Sequence, residues 1–124
     1  MSAPTEAEIL KNRTKHFALS VIRLCQIVPR SEESRVICRQ LLRSSTSVAA
    51  NYRAVCRARS TADFISKLGI VLEEADETHF WLELLLDAGI MSREKIEISL
   101  KEANELVSIF VASLRTVKGV RTAI

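Results

Sequence analysis

Residues 35–57, RVICRQLLRSSTSVAANYRAVCR, decide the fold when they are read at the helical period. At about 100° per residue, Arg35, Arg39, Arg43, Arg53 and Arg57 fall within a sector of roughly 80°. A second face carries Ile37, Cys38, Leu41, Leu42, Val48, Ala49, Tyr52, Val55 and Cys56, the apolar band an amphipathic helix turns toward a core. Between the two runs a row of small or amide residues, Gln40, Ser44, Ser47 and Asn51, expected to serve as structural polar groups; Asn51 is expected to be buried between packed helices. Like charges four apart on a helix repel by roughly 0.2 to 0.5 kcal/mol per pair. The arginine row therefore calls for something acidic opposite it.

Working outward, the same period organises the rest of the chain into one domain, 1–124. A first helix is expected over about 6–28, with Leu10, Phe17, Val21, Leu24, Cys25 and Val28 on one face and Pro29 ending it. Ser31, Glu32 and Glu33 suit the start of a second helix over about 33–57, where carboxylates favour the positive end of the dipole. Ser60 with Asp63 resembles a capping box opening a third helix, 61–88, closed by Gly89. Ser92, Glu94 and Lys95 open a fourth, 93–117, on which Ile96, Leu100, Ala103, Val107, Phe110, Val111 and Leu114 keep helical spacing. Residues 118–124 read as a frayed tail. Short connections between four long amphipathic helices imply an all-α, antiparallel up-down four-helix bundle.

Composition agrees with that reading. With only three glycines and two prolines, the chain needs few turns. Cys25, Cys38 and Cys56 show no CxxC spacing and read as reduced core residues of a cytoplasmic protein. No stretch approaches the roughly 20 apolar residues of a membrane span, so no membrane is expected as a partner. The net charge of +3 hides an asymmetry. Residues 1–60 hold 11 Lys/Arg against 4 Asp/Glu, +7, whereas residues 61–124 hold 7 against 11, −4.

On the third helix Phe64, Leu68, Val71, Leu72, Ala75, Leu82 and Leu86 form a core stripe, while Ile70, Phe80, Trp81 and Leu84 project to the other side. Such surplus apolar surface points to an oligomer interface. The same helix carries Glu73, Glu74, Asp76, Glu77 and Glu83, the salt-bridge candidates for the arginines. Asp76 and His79 have the spacing of a Glu-x-x-His ligand pair, but a di-iron bundle needs two such repeats and the only other histidine is His16. Neither a metal nor another cofactor is expected. No histidine shares a helical face with a cysteine at helical spacing and no glycine-rich phosphate loop is present, so no catalytic residue is assigned.

Two readings of the arginine row stand. It can pair with the acidic face of the third helix, which would make the protein a purely structural oligomer with a protein partner. It can also form a basic track for phosphates through bidentate guanidinium contacts. Tyr52 is the one aromatic near the row and lies on the apolar face, so binding would be backbone-directed.

The run Arg43-Ser44-Ser45-Thr46-Ser47-Val48-Ala49-Ala50-Asn51-Tyr52-Arg53, followed by Arg57-Ala58-Arg59-Ser60 with Phe64 and Lys67, then Glu73-Glu74-Ala75-Asp76-Glu77 and Trp81-Leu82-Glu83-Leu84-Leu85, resembles the family of four-helix bundle proteins encoded in intervening sequences of bacterial 23S ribosomal RNA genes. Where many members follow the Ser-Val/Ile-x-Ala-Asn motif with Glu-Gly, this chain has Arg53-Ala54. The resemblance implies a ring-like homo-oligomer, a homopentamer. It also implies kinship with accessory proteins of diversity-generating retroelements, which bind a reverse transcriptase and nucleic acid. Arg43, Asn51, Arg53, Arg57, Arg59 and Lys67 are the residues it carries over as an interaction surface for RNA, DNA or a protein. With Arg35 and Arg39 from the helical stripe, they make up the expected binding face.

Overall fold

A computed structural model describes residues 2–119. Four helices follow one another, α1 (Glu6–Ile27), α2 (Glu32–Val55), α3 (Thr61–Asp87) and α4 (Arg93–Lys118). Thr5 opens α1 with a capping box. Its hydroxyl accepts the Glu8 N–H at 3.1 Å, and the Glu8 carboxylate accepts the Thr5 N–H at 3.2 Å. Ser31 and Ser34 make the same exchange at the head of α2, at 3.0 and 2.9 Å. At α3 the Ser60 hydroxyl accepts the Asp63 N–H, but the Asp63 carboxylate takes the N–H of Arg59 and not that of Ser60. Gly89, in the turn after α3, and Gly119, closing α4, adopt φ of +71°, the left-handed conformation that ends helices at little cost only in glycine.

Two boundaries differ from the periodic reading in ways that matter. Helix α2 stops at Val55, so Cys56 and Arg57 fall in the turn; Cys56 is exposed, not part of the core. Lys118 still belongs to α4, and the rest of the expected tail beyond Gly119 lies outside the described residues.

Each helix packs against its neighbours in sequence, and α4 returns to α1 along the sparsest seam. Among the described residues no Cα atoms of the diagonal pairs α1/α3 and α2/α4 come within 8 Å, so the backbones form a square in cross-section with α2 at one corner, and only side chains meet across its centre. Val21, Leu41, Val48, Val71, Leu82, Leu85, Ile96, Leu106 and Phe110 fill its centre, and the Tyr52 ring lies against Phe110 at 5.8 Å. On α3 the most buried line is Leu68, Val71, Ala75, Thr78, Leu82 and Leu85, while Phe64, Leu72 and Leu86 sit at its margin. Of the four residues expected to project away, Ile70 and Phe80 are about half exposed, but Trp81 and Leu84 are partly buried against the core. The tryptophan is held by its indole N–H, which donates to Glu77 Oε2 at 3.1 Å. It lies edge-on to Phe80 and does not stand free.

Candidate nucleic-acid interface

Register between α2 and α3 is set by a buried hydroxyl pair. Thr78 Oγ1 donates to Ser44 Oγ at 2.8 Å, and both residues are fully buried. That contact places Glu74 and Glu77 beside Arg43, and among the described residues no other arginine of the row comes within 4.0 Å of them. Arg43 Nη1 reaches Glu74 Oε2 at 2.9 Å, its Nη2 pairs with Glu77, and its Nε donates to Gln40 at 3.1 Å. Glu73, Asp76 and Glu83 are exposed, and Glu83 faces His79 Nδ1 at 3.4 Å. Asn51, expected to be buried between helices, is only half buried. Its amide donates back within α2 to the Ser47 carbonyl and hydroxyl at 2.9 and 2.8 Å, a local bond that satisfies the group without a partner helix.

The opposite seam is stitched in the same way. Arg13 Nη2 lies 2.6 Å from Glu102 Oε1 and 3.4 Å from Glu105 Oε1. Its guanidinium is held above its ordinary range, first by the hydrogen bond to Glu102. In each seam one arginine is clamped by two carboxylates three residues apart.

The other arginines are differently placed. Among the described residues Arg35, Arg39, Arg53, Arg57 and Arg59 have no carboxylate within 4.0 Å. Arg53, Arg57, Arg59 and Lys67 converge on a cleft of about 700 Å³ between the end of α2 and the start of α3, whose lining also includes the small residues Ala50 and Ala54. Its one carboxylate, Asp63, is engaged by Lys67 Nζ at 2.7 Å. The bonds from Lys67 and from the Arg59 N–H hold that carboxyl below its usual range. Across the ridge of α2, a second cleft of about 420 Å³ is lined by Lys11, Lys15, Thr46 and, from its other side, the same Ala50 and Arg53. Lys11 and Lys15 have no ion-pair partner among the described residues and were not singled out from sequence. Their spacing puts them on one face of α1, but which face meets α2 is not legible from α1 alone. Arg35, 18 residues before Arg53, stands about 27 Å away along the helix and belongs to neither cleft.

Chemically the two clefts present cations, small side chains and no paired nucleophile and base. Cys25 is half buried, and its thiol, pushed up to about 12 by burial and by the neighbouring Cys38, stays protonated at neutral pH. Among the described residues no helix is long and apolar enough to cross a membrane.

The sequence model of the 23S rRNA-intervening sequence protein family matches residues 7–112. The chain is also similar to a protein of unknown function from the S23 ribosomal protein family of Bacteroides thetaiotaomicron, whose crystal structure has a TM-score of 0.78 at 35% identity, over 85% of this chain and 97% of that one. Neither description names a reaction. No curated protein matches the chain.

Proposed function

This chain belongs to the 23S rRNA-intervening sequence protein family, and we propose that it is a non-enzymatic cytoplasmic accessory protein that holds RNA or DNA by the phosphate backbone. The observation that carries this reading is the pair of clefts around Arg53, where six cations from three helices and a turn meet one carboxylate, itself neutralised by Lys67. Guanidinium groups left without carboxylates are suited to bidentate phosphate contacts, and the small Ala50 and Ala54 beside them let a sugar-phosphate chain approach closely. Self-assembly, which we propose reaches a homopentameric ring, would repeat the surface and raise its avidity; the exposed Ile70 and Phe80 on α3 supply apolar area for it.

The test is binding of mixed-sequence nucleic acid across a salt series, for the native protein and for Arg53→Gln/Arg57→Gln/Arg59→Gln. Each neutralised duplex phosphate contributes about 0.9 to the log–log salt slope, so the triple variant should flatten it by about 2.7 per engaged site. No measurable binding at low salt would reject the reading and make a protein, such as a reverse transcriptase, the partner to seek.

A further inference from the structure

We propose that the ligand is double-stranded DNA and that the α2 corner of the bundle enters its major groove, with the two clefts seating the two backbones. This rests on the phosphate-binding reading above and adds the form of the nucleic acid and the way it docks. The argument begins with shape. Helix α2 packs on α1 and on α3, which do not approach each other, so its outer side is a convex edge. Thr46, Ala50 and Arg53 are exposed on that edge, and two of the three are small. A concavity lies on each side of it, and the two share Ala50 and Arg53. An α-helix with its side chains is about 10 to 12 Å across, and the major groove of B-form DNA is about 12 Å wide.

Charge follows the same division. Lys11 and Lys15 of α1 stand on one side of the edge, Arg57, Arg59 and Lys67 stand on the other, and Arg53 lies between them. Two separated cation groups flanking a slim ridge match two phosphate rows flanking a groove, whereas a single strand offers only one row. A single strand would also want aromatic platforms for its bases. Neither cleft has an aromatic residue in its lining, and the nearby Tyr52 is buried against Phe110. Duplex RNA has a deep, narrow major groove that does not admit a helix, which leaves B-form DNA as the form that fits. With Arg53 as the only long polar side chain among these three edge residues, sequence preference should be weak.

The experiment uses the full chain with four probes: a mixed-sequence DNA duplex of about one helical turn, ~10 base pairs, one of its single strands, the RNA duplex of the same sequence, and the DNA duplex with glucosylated 5-hydroxymethylcytosine filling the major groove. Five cations, Lys11, Lys15, Arg53, Arg57 and Arg59, lack carboxylate partners among the described residues, so the DNA duplex should give a salt slope near −4.5, and a strand held by Arg53, Arg57 and Arg59 alone about −2. Filling the major groove should weaken binding at least about tenfold. Lys11→Gln/Lys15→Gln should lower the duplex slope by about 1.8 and leave that of the single strand unchanged. Equal affinity and slope for the single strand or the RNA duplex, or indifference to glucosylation, would overturn the corner geometry and leave backbone binding standing. Failure to bind any of the four would remove the proposed function itself.

Discussion

Arg43 and Arg53 stand ten residues apart on the same outer side of α2, and their surroundings are opposite. Arg43 is held by two glutamates of α3 and by Gln40 of its own helix. Arg53 opens onto two clefts and, among the described residues, has no carboxylate within 4.0 Å. The difference comes from α3, whose antiparallel course puts Glu74 and Glu77 level with Arg43 and leaves Lys67 beside the end of α2. A row of like residues on one helix is thus divided into paired and unpaired arginines by the charge of the helix next to it.

The division predicts that the two arginine sets respond to different assays. Arg53→Gln with Arg57→Gln should lower nucleic-acid affinity on the order of 10²-fold at ~0.1 M salt, because two phosphate contacts are each worth about 0.9 in the log–log slope. Thermal stability should stay the same, since neither side chain is paired. Arg43→Gln should do the reverse. Binding should change by no more than about twofold and unfolding free energy should fall by roughly 0.5 kcal/mol, the modest value of an ion pair this exposed. An Arg43→Gln variant that lost binding as fully as the cleft variants would erase the distinction. Anisotropy titration and calorimetry on the same preparations would show it.

The second expected effect concerns the matching clamp on the far seam. Arg13 is less exposed than Arg43, at 31% against 48%, and its Nε and Nη2 meet both oxygens of Glu102 at 2.7 and 2.6 Å. A bidentate pair in that setting exceeds an ordinary surface bridge. The α1 and α4 backbones lie farther apart than those of the other neighbouring helices, so the clamp spans the widest seam. Arg13→Gln should therefore cost about 1 to 1.5 kcal/mol, or a melting shift of about 4 °C at fixed protein concentration. A double-mutant cycle with Glu102→Gln should return most of that as coupling, and a coupling near zero would reduce the clamp to a crystal-like coincidence of side chains.

Why the helices were legible and the division was not follows from where each is encoded. Pro29, Ser31, Ser60 and Gly89 are local signals, read within one turn of the helix end they control. Register between helices has no such signal. Ser44 and Thr78 look like any small polar residues until they meet, and only their meeting shows that Arg43 is paired and Arg53 is not. Lys11 and Lys15 were missed for the same reason, since their part in the site depends on which side of α1 faces α2. Trp81 was misplaced by a smaller error. Periodicity put it outside the core stripe, but it is partly buried against the core and Glu77 takes its N–H. Family resemblance could identify the bundle without repairing any of these points.

The buried face of α2 offers a third contrast, between two adjacent hydroxyls. Ser44 Oγ accepts from Thr78, whereas Ser45 Oγ, equally buried, has no hydrogen-bond partner among the described residues. An orphaned buried hydroxyl costs about 1 to 3 kcal/mol, and alanine removes that cost along with the group. Ser45→Ala should thus raise stability by about 1 kcal/mol, while Ser44→Ala should lower it by a similar amount because Thr78 loses its partner. Chemical denaturation of the two variants side by side decides it, and destabilisation by both would mean that Ser45 is satisfied by solvent.

The smallest effect belongs to Asp63, the one carboxylate in the basic clefts. It serves the fold by accepting the Arg59 N–H at 3.1 Å near the start of α3 and by pairing with Lys67, and it works against the proposed ligand by neutralising that lysine. Asp63→Asn should accordingly raise affinity for nucleic acid a few-fold and steepen the salt slope by up to about 0.9 as Lys67 becomes available. Acid should act in the same direction. Because the folded-state pKa is lowered, the carboxylate's contribution to stability is fully present above the ordinary carboxylate range and is lost as pH falls through the lowered value. Between pH 6 and 8, then, native binding should show no change traceable to this group, while the Asn variant keeps its advantage throughout. If the variant instead bound more weakly, Asp63 would be holding Lys67 and the Arg57–Arg59 turn in their binding positions, and the fold's use of the carboxylate would outweigh its charge.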